Sequence, residues 1–277
     1  MRSLQNIYHG RVPVVRCFTL IVIFLTLLGC CATAQPVPPT LWLIGDSTVR
    51  NGRSDGAGGL WGWGDVLAPH FDTNKLRVVN HARGGRSSRS FLTEGLWDKV
   101  LAEMKAGDFV MLQFGHNDGG ERFKGTRPRA SLRGNGEETE AGVVEQTGKA
   151  ETVHTFGWYL RKYIADTKAK GATPIVCSLI PRNDWKDGKV LRASASHGKW
   201  AKEAAEVGGA AFIDLNELIA RRYEPLGQEQ VTREFFVSEH THTSKAGAQF
   251  NAAVVASGVR ELKDCRLKDF LAPAAKP

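Results

Sequence analysis

The chain predicts an α/β domain: a three-layer α/β/α sandwich with a five-stranded parallel sheet between helices. Strand-like runs and helical stretches alternate along most of its length. The strand-like runs are mostly continuous in apolar residues instead of alternating with polar ones, as expected of strands covered on both faces. The polar motifs fall just past the strand ends, where ligands bind in such sheets.

The first run, residues 40–44, ends at Gly45. Residues 76–82 lead into Gly84-Gly85, and residues 109–114 stop at Gly115. Residues 174–180 reach Pro181, and residues 210–213 end at Asp214. Between them, Val153, Phe156, Leu160, Tyr163 and Ile164 recur at helical spacing and predict a helix over 152–170. Trp200, Ala204 and Val207 predict another. Ser244 is placed to cap a last, Ala-rich helix running to about Leu262. Residues 119–149, rich in Gly, Arg and Glu, are too long for a plain connector. They are either a substrate-facing loop or a partly mobile insertion.

Residues 1–34 read as an export signal. Arg2, Arg11 and Arg16 precede the apolar run 18–28, and no acidic residue occurs before Asp46. The run is too short for a comfortable membrane span. Ala32-Thr33-Ala34 offers a small-x-small cleavage site, the favoured exit, whereas Leu27-Leu28-Gly29-Cys30 would lead to lipidation of Cys30. The expected location is therefore periplasmic or extracellular, with a membrane contact only if Cys30 carries lipid. Removing the segment leaves residues 35–277 as one domain and lowers the formal charge from +8 to +5. That charge is spread along the chain, and no nucleic-acid-binding motif accompanies it. Cys177 and Cys265 remain, as a pair or as two inert thiols. The sequence leaves the oligomeric state open.

Four clusters hold residue types suited to catalysis. Gly45-Asp46-Ser47-Thr48 follows the first strand and sets a serine at a turn, where an imidazole can reach it. The same residues also suit a helix-capping turn. Gly84 to Ser90 follows the second strand, and its glycines let backbone N–H groups approach a developing oxyanion. In Gly115-His116-Asn117-Asp118 the Asn amide can add a further donor, with His116 and Asp118 holding the loop. In Glu239-His240-Thr241-His242 a carboxylate three positions before a histidine can fold back to fix its tautomer. His240 and His242 also form a His-x-His pair that could bind metal, with His116, Asp118 or Asp46 as a third ligand; this is the minority reading.

In this order the four clusters resemble the consensus blocks of the GDSL/SGNH hydrolases, and within them the rhamnogalacturonan acetylesterase branch. The similarity runs from about Pro39 to Ala256. It implies a flavodoxin-like five-stranded α/β/α sandwich and a cofactor-free serine esterase that removes acetyl groups from plant cell-wall polysaccharide. It also implies Ser47 as nucleophile, His242 as base and Glu239 as the acid, where the family usually has Asp. Asp214 is a conceivable substitute, though a helix cap is the simpler account of it. The oxyanion hole would comprise the Ser47 and Gly85 N–H groups and the Asn117 side chain. Arg86, His116 and Trp185 are candidate substrate contacts, with Trp61, Trp63, Arg182 and Lys186 as weaker ones. Acetylated xylan, short-chain lipid or aryl esters, a metal-dependent hydrolase and a non-catalytic sugar-binding protein remain the alternatives. The absent Gly-x-Ser-x-Gly elbow argues against the α/β-hydrolase fold.

Overall fold

Strand β1 (Thr40–Gly45) is buried along its whole length, as its unbroken Leu-Trp-Leu-Ile run requires when helices cover both faces. The structure, a computed structural model, describes Gly10 and residues 37–273. Apart from Gly10, the export signal read in residues 1–34, with its exits at Ala34 and Cys30, lies outside the described residues. After β1 come β2 (Arg77–Asn80), helices α1 (Ser88–Thr93) and α2 (Leu96–Glu103), and β3 (Phe109–Gln113). A hairpin of β4 (Thr139–Val144) and β5 (Lys149–His154) precedes α3 (Phe156–Ala169) and β6 (Thr173–Cys177). Two-residue strands β7 (Trp185–Lys186) and β8 (Lys189–Val190) lead to α4 (His197–Gly208) and β9 (Ala211–Ile213). Helices α5 (Leu215–Tyr223), α6 (Gln228–Phe235) and α7 (Lys245–Glu261) complete it.

The central sheet has five parallel strands in the order β2-β1-β3-β6-β9. Successive residues of each strand feed opposite layers. Leu41, Leu43, Met111, Ile175 and Ile213 pack with Ile219, Tyr223, Val255 and Val259 of α5 and α7. Trp42, Ile44, Val110, Leu112 and Val176 pack with Phe91, Trp97, Tyr163 and Ala204 of α1 to α4. Each such aliphatic or aromatic side chain contributes about 2 kcal/mol on burial, so both faces of every central strand are committed. Because the chain runs outward from β1 in both directions, the carboxyl ends of β1 and β3 open onto a crevice.

The expected helix over 152–170 is shorter. Residues 152–154 belong to β5, where Val153 pairs opposite Glu140, and cross-strand pairing of a β-branched Thr-Val pair overrides the helical spacing. Thr155 then caps α3, its Oγ1 accepting from the Trp158 N–H at 3.1 Å. Residues 119–149 form an ordered arm that ends in the β4–β5 hairpin. Cys177 and Cys265 are both free and buried, and burial pushes the Cys177 thiol up. Among the described residues no helix is long and apolar enough to cross a membrane.

Candidate active site

Ser47 stands on a single tight turn immediately beyond β1. Asp46 Oδ1 accepts from the Thr48 N–H at 2.9 Å and from Thr48 Oγ1 at 2.7 Å, and the Arg50 N–H closes the turn on Asp46 O at 3.0 Å. Gln113, the last residue of β3, donates to Thr48 Oγ1 at 2.7 Å and accepts from Trp63 Nε1 at 2.8 Å. A Cβ on Gly45 would sit 2.5 Å from the Gln113 carbonyl, so only glycine lets the two strand ends come this close. The turn is thus clamped from below, with Ser47 half-buried at its crest.

The partner segment, residues 239–243, comes from the loop between α6 and α7. Glu239 Oε1 accepts from the His242 backbone N–H and, at 2.8 Å, pairs with His242 Nδ1. Glu239 Oε2 accepts from the Thr241 N–H at 2.9 Å. A carboxylate on Nδ1 keeps the proton there and leaves Nε2 as an acceptor. Nε2 lies 2.7 Å from Ser47 Oγ. Partial burial works to raise the Glu239 carboxyl, but the two backbone donors and the His242 ring outweigh it and hold it below the ordinary glutamate value. The longer side chain reaches the ring because the turn folds back on itself. Asp214 instead caps α5, accepting from the Glu217 N–H at 3.3 Å and from Ser178 Oγ at 2.7 Å.

The remaining wall carries donors. Gly85 has φ +78°, a conformation that favours glycine, and lines the cleft beside Ser47 and Asn117. Among the described residues the Ser47 and Gly85 backbone N–H groups meet no protein acceptor. Asn117 Nδ2 donates to the Arg86 carbonyl at 3.0 Å, tying the loop after β3 to the loop after β2. Asp118, 2% exposed, binds the Ser88 N–H at 3.0 Å, the Ser88 hydroxyl, and Ser131 Oγ at 3.2 Å. Burial raises its carboxyl to about 7, against the lowering effect of the Ser88 bonds; the nearby Asp46 raises it further. His116 also lines the cleft, but both of its ring nitrogens are shielded from solvent without a partner, and burial pulls its pKa down.

Ser47, Gly85, Asn117 and His242 are therefore brought to one cleft of about 1100 Å³, together with Arg86, His116 and Arg182. Trp185 is not among its walls. It packs against the α5–α7 core layer and donates to Asn183 Oδ1 at 2.7 Å. Trp63 is buried at 1% exposure, and Trp61 is bridged to Thr243 with Lys245 over its ring. Lys186 lies on the β7–β8 hairpin, away from the cleft. His240 turns Nδ1 to Asp184 at 2.7 Å, so the two histidines serve different partners. Among the described residues no three His, Cys, Asp or Glu side chains cluster as metal ligands.

Of the two readings of residues 119–149, the substrate-facing loop is the one the structure matches. Thr126, Arg127, Pro128, Arg129, Gln146 and Lys149 all border the cleft. The arm's anchor is Arg89 of α1, 2% exposed, whose guanidinium binds Glu151 at 2.6 Å, the Arg122 carbonyl at 2.8 Å and the Ala130 carbonyl at 3.0 Å. An arginine inside an Arg-Ser-Ser-Arg-Ser stretch reads as solvated rim. Only the folded arm reveals it as a buried pin.

A parallel α/β/α scaffold with a Ser–His–carboxylate chain at its carboxyl edge is an arrangement suited to serine hydrolysis. The chain belongs to the GDSL-like lipase/acylhydrolase family, whose model matches residues 43–250. It is 35% identical over 225 residues to a rhamnogalacturonan acetylesterase of Emericella nidulans, covering 79% of this chain and 86% of that one. It is 29% identical over 248 residues to the rhamnogalacturonan acetylesterase RhgT of Bacillus subtilis, covering 84% and 94%. Among solved structures, the YxiM protein of Bacillus subtilis superposes with a TM-score of 0.65 at 25% identity. That match covers 81% of this chain and 56% of the other, so the chain spans little more than half of that protein.

Proposed function

We propose that this protein is an exported carbohydrate acetylesterase that removes O-acetyl groups from pectic polysaccharide, with the rhamnogalacturonan backbone as its substrate. The observation that carries the reading is the chain Ser47 Oγ to His242 Nε2 at 2.7 Å and His242 Nδ1 to Glu239 Oε1 at 2.8 Å, in the same cleft as Gly85 and Asn117. The two curated relatives named above supply the substrate class, and the arginine-led apolar stretch before Ala34 supports export.

In this mechanism Ser47 Oγ attacks the acetyl carbonyl as its proton passes to His242 Nε2. The carbonyl oxygen takes up negative charge against the Ser47 and Gly85 N–H groups and the Asn117 amide, each such donor being worth about 3 kcal/mol in the transition state. His242 returns the proton to the departing sugar hydroxyl, leaving acetyl-Ser47. Water, deprotonated by the same ring, then releases acetate and restores the serine. Glu239 holds the ring in the required tautomer and stabilises its charged form.

Ser47→Ala should lower acetate release from acetylated rhamnogalacturonan by about 10,000-fold or more while leaving the circular dichroism spectrum native. Turnover within tenfold of the parent would reject the serine mechanism. Equal or faster release from acetylated xylan would reject the pectic substrate.

A further inference from the structure

Six cationic side chains line the cleft: Arg86, Arg89, Arg127, Arg129, Lys149 and Arg182. Two carboxylates do so, Glu94 and Glu151, and both are already engaged. Arg86 Nη2 lies 2.8 Å from Glu94 Oε2, and Arg89 Nε lies 2.6 Å from Glu151 Oε1. Among the described residues, Arg127, Arg129, Lys149 and Arg182 have no carboxylate within ion-pair distance. A concave wall with a surplus of one charge focuses its field on a ligand of the opposite sign.

Two of these cations, Arg127 and Arg129, lie on the wall of the cleft that also carries Gly85. Arg129 Nη1 donates to the Gly85 carbonyl at 2.5 Å, so its guanidinium is held against a residue that lines the cleft. Ser87 Oγ grips the Arg129 carbonyl at 2.6 Å, and the Arg129 N–H returns to the Arg127 carbonyl at 2.9 Å, which sets the two arginines on one tight bend. Burial and then the like charge of Arg127 pull the Arg129 guanidinium below its ordinary value, against the smaller raising effect of the more distant Asp118 and Asp46 carboxylates. A guanidinium pair of this kind matches a planar carboxylate, which it can bind through paired N–H donors.

We propose that Arg127 and Arg129 form a carboxylate subsite beside the scissile ester, which makes the enzyme selective for O-acetylated uronides over neutral acetylated sugars. This rests on the acetylesterase reading above and names the residues that would set its specificity. Lys149 and Arg182 widen the same field without fixing a binding geometry.

The test compares kcat/KM on an acetylated rhamnogalacturonan oligosaccharide with that on the same oligosaccharide after its uronate carboxyls are reduced to alcohols. Arg127 is exposed and makes no ion pair, so its replacement is not expected to unfold the arm. The parent should prefer the acidic oligosaccharide by about 100-fold, a charge-assisted contact being worth about tenfold per arginine. Arg127→Ala should lower that preference by about tenfold and Arg127→Glu further still, with Arg127→Lys between parent and Ala. Added salt should erode the parent's preference, since the contacts are screened. Equal rates on the two oligosaccharides, or an Arg127→Glu variant as selective as the parent, would overturn the subsite while leaving a carbohydrate acetylesterase. Cleavage of a small aryl acetate with no acetate released from either oligosaccharide would overturn the substrate reading and the subsite with it.

Discussion

The two walls of the cleft are held by opposite means. The donor wall is buried and cross-linked: Asp118 ties Ser88 to Ser131, Ser87 ties the loop after β2 to Arg129, and Arg89 pins the arm through Glu151 and two carbonyls. The base wall is an exposed turn whose order is local. Glu239 gathers the Thr241 and His242 N–H groups, and Thr243 fastens the end by exchanging hydrogen bonds with Trp61, its Oγ1 donating at 3.0 Å. One wall depends on long-range burial and the other on a short-range turn, so damage to each should show differently. On the donor wall, stability and activity should fall together; on the base wall, activity alone should fall.

The largest effect is expected on the base wall. Glu239→Ala should lower kcat by about 1000-fold, since it removes the partner that fixes the His242 tautomer, with the unfolding midpoint in urea close to the parent's. Glu239→Asp should recover most of that loss, because an aspartate can still reach the ring from a local turn. A matching loss of stability in Glu239→Ala would break the distinction between the walls. Next, Arg89→Ala should cost about 2 kcal/mol of stability, below the penalty for a fully buried ion pair because Glu151 keeps some solvent, read as a lowered urea midpoint. Limited proteolysis should then cut within residues 119–149 first, and an uncut arm would show that Arg89 is not its anchor.

Asn117→Ala should reduce kcat by about 100-fold through the lost donor, and some stability with it, because the Arg86 carbonyl loses its partner. A rise in KM with kcat unchanged would place the Asn117 amide on the ground state instead. A last effect is electrostatic and shows only as a pH dependence. Asp118 titrates near 7 in the folded chain, well above the ordinary carboxyl value, so the folded protein binds its proton more tightly than the unfolded one. Its contribution to stability is therefore complete below about pH 4 and is lost as pH rises through 7. Asp118→Asn should remove that decline, so the difference between variant and parent urea midpoints should change between pH 4 and pH 7. A constant difference across that range would show that Asp118 does not titrate there.

The same contrast explains what the sequence made legible. The sheet could be read because its central strands are apolar on both faces, and the β1 burial pattern follows directly from Leu41 to Ile44. The Ser47, Gly85, Asn117 and His242 loops could be read because each follows a strand or precedes a helix with its own cap. Glu239 could be paired with His242 from a three-residue offset, since that contact is local. Long-range contacts were opaque. Nothing adjacent to Arg89 in the chain announces Glu151, 62 positions away, as its partner. The arm's hairpin was equally hidden, because β4 alternates weakly and β5 borrows residues that also fit the helical spacing of α3. Trp185 illustrates the converse: a tryptophan in a polar stretch suggests a sugar platform, whereas its ring is spent on the core.

Labelling with a fluorophosphonate ester, followed by peptide mass spectrometry, tests the central geometry most directly, since such a reagent needs an activated serine facing a set of N–H donors. A single adduct on Ser47 is expected, formed at a much reduced rate in Glu239→Ala and absent from Ser47→Ala. An adduct on Ser87, Ser88 or Ser90 in the neighbouring loop, or an inactivated enzyme with Ser47 unmodified, would contradict it.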